Sequence, residues 1–185
     1  MSTAVSSKAE ILQVFKKLIS ENGLPALNMR TIAQKCNIAL GSLYNYFPSK
    51  NELTIAAIES VWQDIFHMAV SCKAEVSFTD YVKWIFESVN AGMVSYPNFF
   101  TAHSVSFASD EKGRARQTMQ RYFVHIKSGL LDALEHDTAV RSDAFDEAFT
   151  ASEFIDFIVE SILLLLMQRK SSCSVLIKMV CSTLY

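Results

Sequence analysis

Glycine and proline are scarce in this 185-residue chain, at five and three residues. That scarcity removes the turn chemistry a β-sandwich or barrel needs at each strand connection. Cysteine is equally sparse. Cys36, Cys72, Cys173 and Cys181 lie far apart in the sequence, without the close pairing of a zinc site or a redox dithiol. They read as buried thiols, and no metal is expected. The four histidines have no evident carboxylate or cysteine at ligand spacing, no Glu-x-x-His pair of the di-metal type occurs, and no glycine-rich phosphate loop follows a strand. These gaps argue against an enzyme and against a cofactor. A bilayer-length apolar run is missing too. The most apolar stretch, Phe154 to Met167, is shorter than the roughly 20 residues a spanning helix needs, and Asp156 and Glu160 interrupt it. Residues 1–8 are small and polar, with no apolar segment of a secretory signal. No membrane partner and a cytoplasmic location are therefore expected.

What the chain does have is apolar residues, half of the total, recurring at helical spacing, so the expected class is all-α with a sizeable core. Its formal net charge is −2, unevenly spread. Residues 1–50 carry Lys8, Lys16, Lys17, Arg30, Lys35 and Lys50 against Glu10 and Glu21, a balance of +4, which leaves −6 for residues 51–185. A basic head on an acidic body suggests that only the head meets a polyanion.

Helix signals divide the chain finely. Ile11, Phe15 and Leu18, with Leu12 and Ile19 beside them, share one face of a helix from about Ser7 to Glu21, which Asn22-Gly23 ends. Asn28 is a suitable N-cap for a short helix from Met29 to Cys36, with Ile32 and Ala33 turned inward. Asn37 tolerates the left-handed backbone of a tight turn. A third short helix spans roughly Leu40 to Phe47, anchored by Leu43 and Phe47, and Pro48 stops it. Ser49-Lys50-Asn51-Glu52 is a capping box opening a long helix to about Cys72, with Ile58, Val61, Trp62, Ile65 and Ala69 on one stripe. Further helices are expected over Thr79–Ser95, shortly after Pro97, over about Asp110–Glu135 and Ser142–Arg169, and over Ser174–Leu184.

Helices two and three, joined by a turn of about three residues and braced by helix one, make a helix-turn-helix whose third helix enters the DNA major groove. The run Asn28-Met29-Arg30-Thr31-Ile32-Ala33, followed by Asn37-Ile38-Ala39-Leu40-Gly41-Ser42-Leu43-Tyr44-Asn45-Tyr46-Phe47-Pro48-Ser49-Lys50, resembles the head of the TetR family of bacterial repressors. The motif resemblance covers about residues 8–55. Two departures stand out: Ala39 where the family commonly has a capping Ser or Thr, and Cys36-Asn37 in place of the commoner Ala-Gly. Leu40 also puts an apolar residue where a cation would help. The candidate DNA-contacting residues are Arg30 and Thr31 in the second helix, Gly41, Ser42, Tyr44, Asn45 and Tyr46 in the third, and Lys50. Gly41 lets the backbone approach DNA, and Asn45 can pair with adenine. Tyr44 can hold a phosphate oxygen, and Lys50 sits where a helix N-terminus already favours one.

The expected organisation is thus a DNA-binding head over residues 1–50 and a ligand-binding, dimerising helical bundle over residues 51–185. Two heads on a two-fold axis read two half-sites of a palindromic double-stranded operator, so a homodimer is expected. Its interface is assigned to the last two helices through Phe149, Phe157, Ile158, Ile162, Leu165, Leu176, Met179 and Val180, because these helices are more apolar than one buried face requires. The resemblance implies that a small molecule in the body releases the DNA. Aromatic residues between head and interface, Tyr81, Trp84, Tyr96 and Phe107 among them, point to an apolar or aromatic effector. Asn90, His103, Tyr122 and His125 are its candidate polar contacts. The alternative is a helical ligand- or partner-binding dimer that has lost DNA binding.

Overall fold

The computed structural model describes residues 7–22, 28–68, 76–97 and 113–185, and the described residues form eight helices with no strand. They are α1 (Lys8–Asn22), α2 (Met29–Lys35), α3 (Leu40–Tyr46), α4 (Lys50–Met68), α5 (Phe78–Ser95), α6 (Gly113–His136), α7 (Ala151–Met167) and α8 (Ser174–Leu184). The expected helix after Pro97 and the expected turns of α4 beyond Met68 lie outside the described residues. By contacts the chain forms two compact units, one of residues 1–64 and 92–120, the other of residues 65–91 and 121–185.

In the first unit Ile11, Phe15, Leu18 and Ile19 bury one stripe of α1. Asn28 caps α2: its side-chain oxygen accepts the Thr31 backbone N–H at 2.9 Å, and Met29, Ile32 and Ala33 turn inward. The turn after α2 closes as a Schellman motif. Asn37 takes φ 56°, the Ile38 N–H reaches the Ala33 carbonyl at 3.0 Å, and the Asn37 N–H reaches Gln34 at 3.1 Å. Helix α3 starts at Ala39 without a side-chain cap and buries Leu43 fully, with Phe47 closing its end. Ser49 accepts the Glu52 N–H at 3.1 Å to start α4, where Leu53, Ala57, Ile58, Val61 and Trp62 face inward.

The second unit packs Phe78, Val82, Ile85, Phe86 and Val89 of α5 with Ile126, Leu130 and Leu134 of α6, the inner face of α7, and Leu176, Val180 and Leu184 of α8. Asp137, just after α6, ties three segments together. Its carboxylate accepts the Phe78 N–H at 2.8 Å, the Tyr185 hydroxyl at 2.6 Å and the Ala139 N–H at 3.0 Å. Burial works against its charge, but these hydrogen bonds, the Tyr185 one foremost, win and hold the carboxyl below its ordinary range.

One expected helix is corrected. The periodicity suggested a helix from about Ser142 to Arg169, but α7 begins only at Ala151, and residues 137–150 are turns. Short polar side chains take over the backbone there. The Asp146 carboxylate accepts the N–H groups of Ala148 and Phe149, both at 2.8 Å, and Thr150 with Glu153 forms the capping box that starts the helix. Phe145, half-buried, and Phe149, exposed, lie beside the start of the helix without being part of it, their rings 5.7 and 5.6 Å from that of Phe154. At its other end α7 closes on Arg169, a non-glycine residue at φ 54°. The Lys170 N–H reaches Leu165 and the Arg169 N–H reaches Leu166, both at 2.9 Å, a second Schellman motif.

Candidate nucleic-acid interface

The core stripe of α3 fixes what the helix shows outward. With Leu43 and Phe47 buried, the exposed positions are Gly41, Tyr44 and Asn45, with Ser42 and Tyr46 half-buried at the edges. Tyr44 keeps 44% of its surface exposed, unusual for a large aromatic side chain that packing could have used. Gly41 has no internal reason to be glycine: its φ is not in the left-handed range, and a Cβ built on it meets nothing within 4 Å. Neither backbone strain nor crowding inside the chain demands the missing side chain.

Around this helix, Arg30 is exposed in the first turn of α2 and Lys50 is exposed at the first residue of α4. Thr31 is half-buried, and its hydroxyl points back to the Asn28 side-chain oxygen at 3.2 Å, so it serves the α2 cap. Sequence reasoning counted Lys8 in the charge of the head without placing it beside α3. Its ammonium lies 5.5 Å over the Phe47 ring, which fixes a cation beside the end of α3 although 39 positions separate the two residues. Lys16 behaves oppositely. Counted with the basic head, it is almost wholly buried and pairs with Asp64 at 2.7 Å. The Tyr96 hydroxyl donates to the same carboxylate oxygen at 2.7 Å, and burial together with that carboxylate pushes the Tyr96 pKa well up. The surface charge of the head is therefore smaller than its composition implies.

The second unit holds the other candidates. Asn90 on α5 and Tyr122 on α6 are half-buried, His125 on α6 is exposed, and His103 lies outside the described residues. An open groove of about 700 Å³, lined by Lys83, Phe86, Glu87, Cys173, Lys178 and Cys181 among others, includes none of these. Of the residues assigned to a dimer contact, Phe149, Phe157 and Met179 are exposed and Leu165 is half-buried, while Ile158, Ile162, Leu176 and Val180 are buried inside the unit. The outer side of α7 adds Leu163, Leu164 and Met167, and α8 adds Val175, all exposed. Helix α7 thus has an apolar outer face backed by a separate buried one, a division that hydropathy alone does not resolve because both faces are apolar. Among the described residues no group of three or more His, Cys, Asp or Glu side chains is placed to hold a metal ion, and no helix is long and apolar enough to cross a membrane.

Comparison with known proteins bears on both parts. The family model for bacterial regulatory proteins of the tetR family matches residues 11–57. The chain is similar to the HTH-type transcriptional repressor KstR of Rhodococcus jostii (strain RHA1), 36% identical over 58 residues that make up 31% of this chain and 27% of that protein. It thus spans about a quarter of the length of KstR. It is also similar to the HTH-type transcriptional repressor KstR2 of the same organism, 24% identical over 141 residues, 74% of this chain and 69% of that one. Among solved structures, BioQ of Mycobacterium smegmatis shares the fold with a TM-score of 0.57 at 17% identity, over 90% of this chain and 81% of that chain. BioQ with its double-stranded DNA operator gives a TM-score of 0.50 at 18% identity, over 89% and 90%.

Proposed function

Because residues 11–57 match the family model for bacterial regulatory proteins of the tetR family and the chain is similar to the repressor KstR, we propose that it is a ligand-responsive transcriptional repressor of that family. In this reading it binds a palindromic operator as a homodimer and is released by a small apolar or aromatic effector. Residues 1–50 take the DNA and residues 51–185 take the effector and the second copy. The chain has no catalytic step to perform and acts in the cytoplasm, where the chromosome is. The observation that carries this reading is the outward face of α3, where an exposed Tyr44 and Asn45 stand beside a glycine that the chain's own packing does not require. Ser42, Tyr46, Arg30, Lys50 and Thr31 flank it, Thr31 through its backbone and cap. The exposed apolar face of α7, with Phe157, Leu164 and Met167, is the surface on which a second copy would seat, and Met179, Phe149 and Leu165 extend it. Asn90, His103, Tyr122 and His125 remain the candidate polar contacts for the effector.

The test is binding of the purified protein to the DNA flanking its own gene across a salt series, beside the Tyr44→Ala, Lys50→Ala double variant. With three or four phosphates neutralised per head, log K against log salt should fall with a slope of about −5 to −7 for the dimer. The double variant should lose the binding. A second reading, a helical dimer that binds a ligand or partner but no longer DNA, is favoured by one observation: α3 begins at Ala39 with no side-chain cap. An intact dimer with no sequence preference at any salt would select that reading.

A further inference from the structure

Among the described residues, the indole Nε1 of Trp84 is buried and has no hydrogen-bond partner. A buried N–H in that state has given up the water it held in the unfolded chain and received nothing, so it calls for a physical reason. Two described rings lie against it. The Tyr81 ring stacks on the indole with centroids 5.2 Å apart and planes 27° from parallel. The Phe66 ring lies 5.7 Å away, tilted by 37°. Ser88, one turn along α5, spends its hydroxyl on the Trp84 carbonyl at 2.7 Å. Tyr81 is held in place from α6, where Gly129 leaves the room its phenol end occupies: a Cβ there would stand 2.5 Å from the Tyr81 hydroxyl oxygen. Phenylalanine at position 84 would give the same aromatic contact without an orphaned donor. The N–H is therefore suited to an acceptor from outside the chain.

We propose that Trp84 Nε1 is the polar anchor of an effector site in the second unit, donating to the oxygen of a neutral, flat, apolar molecule of the aryl-ketone class. Flatness follows from the neighbouring aromatic faces. Neutrality follows from the described groups placed against the indole, the Tyr81 and Phe66 rings, neither of which is a cation. Lys83, adjacent in sequence, is exposed, pairs with Glu87 at 3.8 Å and lines the open groove, so a buried anion at the indole would lack a counter-charge. The inference rests on the effector-sensing reading of the body and adds to it the donor and the functional group it selects.

Acetophenone and α-methylstyrene are matched probes, a ketone oxygen in one standing where the other has a CH₂ group. Each is titrated into the DNA-free, ¹⁵N-labelled full chain. The chain has two tryptophans, and the indole signal missing from Trp84→Phe identifies Trp84. Acetophenone should bind several-fold to about tenfold tighter than α-methylstyrene and move the Trp84 indole proton downfield. In Trp84→Phe the preference should vanish or reverse, because the ketone then leaves water with nothing in return. If Trp84→Phe does not fold, Trp62→Phe makes the assignment and the two probes on the unmodified chain decide. Equal affinities, a ketone preference that survives in folded Trp84→Phe, or no binding of either probe up to its solubility would overturn the assignment. Since no DNA is present, that failure leaves operator binding untouched. Ketone binding by a protein that ignores DNA would instead sink the operator reading alone.

Discussion

Gly41→Ala separates the two demands on α3, because it should move stability and DNA affinity in opposite directions. Within the chain the added methyl meets nothing within 4 Å, so no clash opposes it. Alanine also removes backbone freedom from the unfolded state, worth about 0.5–1 kcal/mol inside a helix. Gly41 is the second residue of α3, so the lower end applies, and the melting temperature should rise by about 1–2 °C for a chain of this size. If α3 meets DNA through Gly41 as proposed, the same methyl would stand between the helix and a phosphate. Losing one backbone contact of about 1–1.5 kcal/mol in each half-site costs the dimer about 2–3 kcal/mol, roughly a 30- to 150-fold loss of affinity. Thermal unfolding by circular dichroism without DNA and fluorescence anisotropy on the flanking-gene duplex measure the two effects. A more stable variant with undiminished affinity would mean that α3 does not approach DNA through Gly41. A less stable variant would show that the space around Gly41 has been misjudged.

The polar contacts yield three more expectations. Asp64→Ala strands the buried ammonium of Lys16 and should cost about 3–5 kcal/mol. Lys16→Met fills the same volume and leaves a partly exposed Asp64 bonded to Tyr96, so urea titrations should show a clearly smaller loss. Arg169→Gly relieves a left-handed backbone at the end of α7 and should stabilise by about 1 kcal/mol, visible as a higher urea midpoint at unchanged slope. Asp137 has a folded pKa below its unfolded one, so its contribution is complete above the unfolded value of about 3.9 and is lost as pH falls through the lower folded value. The stability gap between the protein and Asp137→Asn should thus be constant near neutrality and shrink below about pH 4; a gap unchanged down to acid unfolding would refute the assigned hydrogen bonds.

The head was legible because each of its elements is marked by a residue whose chemistry admits few alternatives. Asn28 caps, Asn37 takes the left-handed turn, Leu43 and Phe47 leave one face of α3 outward, and Pro48 and Ser49 mark the next boundary. The body was legible in its helices and less so in their limits and faces. Phe145 and Phe149 extend the apolar rhythm of α7 backwards, and only the local hydrogen bonding of Asp146 and Thr150 shows that the helix has not begun. Buried Ile158 and Ile162 and exposed Phe157 and Leu164 are equally apolar, so pattern alone could not assign them to core or surface. The partnership of Lys16 with Asp64 and of Lys8 with the Phe47 ring spans 48 and 39 positions, beyond the reach of any local pattern. Trp84 was recognised as aromatic, but whether its N–H had a partner is a property of the folded surroundings.

Cys36 offers an internal clock for the head. It closes α2 with its side chain fully buried, and burial raises its pKa, so a thiol reagent can reach it only when the helix-turn-helix opens. The rate at which this single sulfur is modified, read by mass spectrometry, therefore reports how often the head breathes. Any ligand that tightens or loosens the helix-turn-helix should leave its signature in that rate, whether or not DNA is present.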